Sequence, residues 1–282
     1  MARKLFCEIS PLTYRISTQK EILKRNVQDL LARPRFAAQK SDEPLPVTVY
    51  SHRSLIRRRL GNVDMTLQEN KAVNLALAAP KVNGVLIRPG EVFSFWRLVG
   101  SVTKRKGYRT GLTIKGGLPS SDTGGGMCQF TNLIHWLVLH SPLTICEHHH
   151  HDGVDLFPDF GRVVPFGTGT SILYNYKDYR FRNDTPYTFQ LLVFTDEEYI
   201  TGRLLCDHAL PQRYHIQAED EYFSREGGEV YRNGKVYRRT VDVVTGNTVK
   251  RELIKTNHAR VLYDTSNLEV REDAPVAEDT SR

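Results

Sequence analysis

The sequence predicts an α+β fold on three observations. Helical periodicity is confined to three short stretches, near residues 18–32, 66–79 and 130–138. From Val82 onward the apolar residues fall in short runs broken by Gly and Pro, the grammar of strands and turns. The C-terminal part carries two hairpin signals, Asn233-Gly234 and Thr245-Gly246-Asn247. The expected architecture is a set of N-terminal helices, a central mixed domain with a Cys-bearing helix packed on an antiparallel sheet, and β-hairpins at the C-terminus. The divisions fall at 1–64, 65–205 and 206–282, the last ending in a frayed acidic tail.

Each element has its own reason. Ile22, Leu23, Val27, Leu30 and Leu31 recur at helical spacing between Thr18 and Ala32, and Arg33-Pro34 breaks the pattern. The polar stretch 38–46 (AQKSDEPLP) is a linker, followed by a strand at Val47–Tyr50. A second helix is expected from Thr66 to Ala79, with Pro80 stopping it. Val85–Ile87 and Val92–Phe95 flank a Pro89-Gly90 turn. After a Gly-rich region from Gly107 to Gly126, Phe130, Leu133, Ile134, Leu137 and Val138 line one helical face, and Ser141-Pro142 ends that helix. Strands follow at Ile145–Glu147, Ser171–Tyr176, Tyr179–Arg182, Thr188–Phe194 and Tyr199–Leu205. Asn233-Gly234 is expected to turn the chain between Val230–Arg232 and Val236–Tyr237.

Of 282 residues, 39 are Lys or Arg and 32 Asp or Glu, a formal charge of +7. Residues 1–60 hold thirteen of the bases against five acids, so the remainder is nearly neutral. The basic cluster Arg53, Arg57, Arg58 and Arg59 offers a peripheral contact with anionic membrane. No helix-turn-helix, zinc-finger or RNA-binding sheet motif accompanies it, so nucleic acid is not the expected partner. No apolar run reaches the length of a membrane span. The opening MARKLFCEISPLTYRIS lacks the apolar core of a secretory signal, so the expected location is cytoplasmic, peripheral to the inner face of the membrane. Four cysteines in a chain this long read as free thiols.

The chemistry concentrates in DTGGGMCQFTNLIHWLVLHSPLTICEHHHHDGVD, residues 122–155. Gly124, Gly125 and Gly126 suit a backbone that takes positive φ or approaches a ligand closely. Cys128 then falls in the first turn of a helix, off its apolar stripe, where unpaired N–H groups favour the thiolate. Those N–H groups are also suited to an oxyanion, which makes Gly124–Gly126 and Gln129 the expected substrate-binding residues. A nucleophilic thiol needs a base. His135 lies about 10 Å along the same helix, too far for direct proton transfer. The run His148–His151 follows a strand that can return an imidazole to the helix start. The four histidines lack any CxxC or HExxH spacing, so neither metal nor other cofactor is expected.

Several motifs in order resemble the VanW family, named for an accessory protein of vancomycin-resistance clusters. They are Asn70-x-x-x-Asn74, PGEVFSFWRLVG (89–100), GGGMCQ (124–129), Glu147-x-x-x-His151 and YNYKDYRFRND (174–184), together spanning about 65–195. The resemblance implies cysteine-dependent L,D-transpeptidation of peptidoglycan, with Cys128 attacking a stem-peptide carbonyl and His151 as general base and acid. Asp152 stands where the family often has Ser. Gly167-Thr168-Gly169-Thr170 replaces a frequent GRDA, so the family Asp is missing and Asp155 or Asp152 is left to orient the imidazole. The expected function is acyl transfer on stem peptides or their precursors; the alternative is a non-catalytic module binding a cell-wall precursor or a resistance partner protein.

Overall fold

The computed structural model describes residues 5–58, 64–115, 118–150, 153–156, 158–159 and 163–272. Helix α1 (Pro11–Ala32) begins seven residues earlier than the periodicity predicts. Ser10 caps it, accepting from the Thr13 N–H at 3.2 Å, and Pro11 takes the first position, where no N–H is needed. Next come β1 (Val47–Leu55), α2 (Met65–Val82), β2 (Val85–Ile87), β3 (Val92–Ser94) and the short α3 (Phe95–Val99). The antiparallel pair β4 (Thr110–Lys115) and β5 (Leu118–Thr123) leads to α4 (Met127–Leu139), which carries Cys128. Then follow β6 (Thr144–Glu147), β7 (Val154–Asp155), β8 (Arg180–Arg182), β9 (Phe189–Thr195) and β10 (Tyr199–Cys206). The chain closes with β11 (Gln212–Glu226), β12 (Glu229–Asp242), β13 (Thr248–Val261) and β14 (Val270–Glu272).

The class is α+β, as predicted. The central sheet is antiparallel in the order β1-β10-β9-β2. The 1–64 segment therefore contributes an edge strand to the sheet of the 65–205 unit. Helix α4 packs on this sheet through Phe130, Leu133, Ile134, Leu137 and Val138, all buried. Each such side chain stabilises the fold by roughly 1.5–3 kcal/mol on the transfer scale. Gly202 on β10 sets the approach, because a Cβ there would sit 2.9 Å from Leu137 Cδ1. A smaller sheet, β3-β8-β6, lies beside it. The third, β14-β11-β12-β13-β7, includes β7 in parallel register with β13, so the segment just past the histidine run is tied to the C-terminal sheet.

Four local expectations are corrected. Pro80 does not stop α2, which continues to Val82. In the last turn a proline removes only its own N–H bond, a smaller loss than in a helix middle. Asn233-Gly234 does not turn the chain; both lie inside β12, with Asn233 opposite Tyr222 and Gly234 opposite Asn257. The turn is at Gly227-Gly228, at φ +56° and +86°, between Glu226 and Glu229. A two-residue hairpin wants positive φ at both positions, and Gly-Gly meets that without cost. Ser171–Tyr176 forms no strand; Leu173 bridges Lys177 across a turn instead. Lastly, the apolar stripe of α1 faces away from the domain: Leu23, Val27, Leu30 and Leu31 are exposed.

Candidate active site

Two asparagines of α2 hold the glycine run and the strand beside it. Asn74, fully buried, donates from Nδ2 to the carbonyls of Arg109 and Gly125, both at 2.9 Å. Its Oδ1 accepts from the Arg109 N–H at 2.7 Å. One turn earlier Asn70 donates to the Thr110 carbonyl at 2.8 Å. These bonds clamp the start of β4 to the loop so tightly that a Cβ on Gly125 would lie 2.2 Å from the Gly111 carbonyl carbon. Gly126 takes φ +107°, forms the N-cap of α4 and supplies no side-chain cap. The glycines thus serve close backbone packing, a requirement independent of any ligand.

Cys128, the second residue of α4, is partly exposed and packs against the core. Burial pushes its thiol pKa up, and the nearby Ile172 backbone N–H opposes this with a smaller effect. The thiolate expected from the helix start is therefore outweighed by desolvation in this state. Ile172 belongs to a segment that sequence reasoning did not connect with the cysteine. Thr170 donates its N–H to Asn132 Oδ1 at 2.6 Å and its hydroxyl to the same oxygen at 2.8 Å. The Thr131 and Thr170 hydroxyls also bond each other. The one available signal was that residues 167–170 stand where the family has GRDA.

The histidine run lies along this same segment. Ser171 donates its N–H to the His149 carbonyl at 2.7 Å, and His148 Nε2–H donates to the Gly169 carbonyl at 3.1 Å. His148 also lies between two other imidazoles, its ring centroid 4.1 Å from His135 and 4.0 Å from His150. Burial lowers the His148 pKa to about 4, with His150 adding to the effect. His135 is buried rather than superficial, bonded through Nδ1 to the Tyr179 hydroxyl at 3.0 Å, and held well below the usual imidazole range by burial. The three rings pack against one another at tilted angles, a row running from α4 to the histidine run, with burial favouring the neutral form of His135 and His148. His151 and Asp152 lie outside the described residues.

The remaining predicted residues have structural partners. Asp155 accepts from the Tyr263 hydroxyl at 3.0 Å and pairs with Arg232 at 3.3 Å. Gln129 donates from Nε2 to Ser54 Oγ and the Leu55 carbonyl, tying the first turn of α4 to the end of β1. Glu147 bonds Arg25, His149 and the Asp178 N–H. Asp178 in turn holds Arg180 Nε at 2.7 Å and the Trp96 N–H at 3.0 Å. In the basic cluster Arg53 pairs with Asp196 and Arg57 grips both oxygens of Glu69; Arg59 lies outside the described residues. A residue that the sequence did not single out is Lys71. It is only 6% exposed, and its Cγ lies 2.4 Å from where a Cβ of Gly126 would stand.

The family model described as VanW like protein matches residues 70–205, from the first asparagine clamp to the end of β10. Vancomycin B-type resistance protein VanW of Enterococcus faecalis (strain ATCC 700802 / V583) is 37% identical over 228 residues, covering 81% of this chain and 82% of that protein. The uncharacterized protein YoaR of Bacillus subtilis (strain 168) is 29% identical over 118 residues, 41% of this chain and 36% of that one. No solved structure matches. The shared region contains the clamped glycine loop, the cysteine helix and the Glu147–Asp178–Arg180 network, and with a relative matched over four-fifths of its length the chain belongs to the VanW family, a family linked to vancomycin resistance.

Proposed function

We propose that this protein carries out cysteine-dependent acyl transfer, of the L,D-transpeptidase kind, on peptidoglycan stem peptides or their precursors, in support of glycopeptide resistance. The observation that supports this reading is the placement of Cys128. Its sulfur sits in the first turn of a helix with no side-chain cap, just after the glycine loop and near the backbone N–H of Ile172. Attack by the sulfur on a stem-peptide carbonyl forms a C–S bond and a tetrahedral oxyanion. The thiol proton passes to an imidazole of the histidine run, His151 in the family pattern, and from there to the departing amine as the C–N bond breaks. An acceptor amine, or water, then displaces the sulfur from the thioester. The burial that raises the thiol pKa favours a second reading, a module that binds the precursor without reacting.

Intact-mass analysis after incubation with a tetrapeptide-stem muropeptide distinguishes the two. The catalytic reading expects an acyl adduct that maps to Cys128 and is absent from Cys128→Ala. Unmodified protein at full occupancy, with Cys128 labelled by iodoacetamide no faster than Cys7, Cys146 or Cys206, would leave the binding module.

A further inference from the structure

We propose that Lys71 and the open amino end of α4 form a carboxylate-binding subsite beside Cys128, one that takes the free C-terminal carboxylate of a peptide acyl donor. The identity of that donor rests on the function proposed above; the subsite itself rests on Lys71. The side chain passes beneath Gly126, the N-cap of the helix. Among the described residues it has no hydrogen-bond or ion-pair partner, although it is more than nine-tenths buried. Burial, together with the charges of Arg58 and Arg57, lowers its pKa to about 8, so it remains mainly charged at neutral pH. The stem is buried while the ammonium keeps some accessible surface, so a partly desolvated cation whose charged neighbours are cations stands open to an incoming anion. The helix end contributes positive potential at the same place. Cys128 lies two residues beyond Gly126, about 3 Å along the helix axis. In a peptide the terminal carboxylate lies one residue, ~3.8 Å, beyond the preceding carbonyl. A carboxylate held at the helix start would therefore lie one residue from the carbonyl that the sulfur is proposed to attack.

The test separates binding from reaction. In full-length Cys128→Ala protein, calorimetry compares the stem tetrapeptide L-Ala-γ-D-Glu-L-Lys-D-Ala with its C-terminal amide. The free acid is expected to bind at least about tenfold more tightly, and Lys71→Met in the same background to abolish that preference. Lys71→Met should melt no lower than its parent, since it removes a buried charge. Equal affinity for acid and amide, no binding of either, or a preference that survives in Lys71→Met would each overturn the subsite. The two proposals fail separately. Binding with the expected preference but no acyl adduct on the unmutated protein removes the nucleophile alone. An adduct formed with equal kcat/KM by Lys71→Met and its parent removes the subsite alone.

A different observation carries a second proposal. Helix α1 attaches to the domain by its polar side: Arg25 bonds Glu147, and Asp29 grips Arg180 at 2.6 and 2.8 Å. Leu12, Ile16, Leu23, Val27 and Leu30 fall within an arc of about 60° on the other side, with Leu31 at its margin. All six are exposed, Leu30 by 71% and Leu31 by 78%. The exposed cations Arg15, Lys20, Lys24 and Arg33 accompany the stripe. The geometry points to an anionic lipid surface as the occupant of this face: the stripe enters the interface and the cations meet the headgroups. No helix of the described residues is long and apolar enough to cross a membrane, so the contact is along the surface. Flotation of the full chain with vesicles of phosphatidylglycerol and phosphatidylcholine is expected to retain it at 50 mM salt, about tenfold less in a Leu23→Glu, Leu30→Glu double variant. Retention should also fall on pure phosphatidylcholine. The proposal is overturned if the double variant floats like its parent, or if nothing floats. A dimer that the same substitutions dissolve, without flotation, would assign the stripe to a second copy instead.

Discussion

Removing the amide of Asn74 should loosen the glycine loop and the cysteine helix together. In Asn74→Ala three hydrogen bonds disappear, of 2.9, 2.9 and 2.7 Å. The Arg109 carbonyl keeps the Gly124 N–H at 2.9 Å, so it is not orphaned. The Arg109 N–H and the Gly125 carbonyl lose the partner that Asn74 supplied. At about 1–3 kcal/mol for each buried group left unsatisfied, the loss is about 2–6 kcal/mol. That is a large share of the 5–15 kcal/mol typical of a folded domain. With roughly 2–4 °C of melting temperature per kcal/mol at this size, Tm should fall by on the order of 10 °C. Asn70→Ala removes one bond to Thr110 and should cost only about 1 kcal/mol. Circular-dichroism melts measure both, and iodoacetamide labelling well below Tm should show Cys128 reacting faster in Asn74→Ala than in the parent. If Asn74→Ala melts within about 2 °C of the parent and labels at the parental rate, the asparagine does not hold the loop and the reasoning fails.

Three further outcomes are expected. Gly125→Ala drives a Cβ to 2.2 Å from the Gly111 backbone, and Gly126→Ala both takes a side chain into φ +107° and meets the buried stem of Lys71 at 2.4 Å, so each should destabilise by about 2 kcal/mol or more; denaturant midpoints measure the loss, and a cost under about 0.5 kcal/mol for either would refute the packing account. His148 and His140 are each held near 4, below the unfolded value of 6.5, so the unfolded chain binds more protons between those limits; stability should rise with pH across that window, and His148→Gln should flatten the slope by up to one proton, measured by urea denaturation at stepped pH. Arg25→Ala should release α1 from Glu147, speed tryptic cleavage after Lys20 and Lys24 severalfold and lower Tm by a few degrees, because the mostly buried Glu147 carboxylate loses a cation; an unchanged cleavage rate would mean that the ion pair does not hold the helix.

How much of this was legible depends on the kind of interaction each element makes. Helix α4 was readable because five apolar residues at helical spacing have one sheet to bury against, and Gly202 lets that sheet come close. Helix α1 shows the same spacing and the opposite orientation. Periodicity reports that a helix has an apolar side and is silent on whether the domain or another surface meets it. Here the choice is made by Arg25 and Asp29, whose partners Glu147 and Arg180 lie more than a hundred residues away in sequence. The hairpin failed for a local reason: Asn233-Gly234 and Gly227-Gly228 are both competent turns, and the register of β11 against β12 decides between them. At the candidate site, Cys128 and its glycines stood out because both are unusual at a helix start. The segment 167–172 did not, since it meets the helix through backbone N–H groups and two threonine hydroxyls, which leave no pattern in composition or spacing. Lys71 was hidden for a related reason. A lysine in an amphipathic helix reads as solvated, and only the absent Cβ of Gly126, distant in sequence, leaves room for its side chain beneath the loop. The same glycine that caps the helix thus makes room for the Lys71 stem, which couples the loop's backbone to the packing of α2.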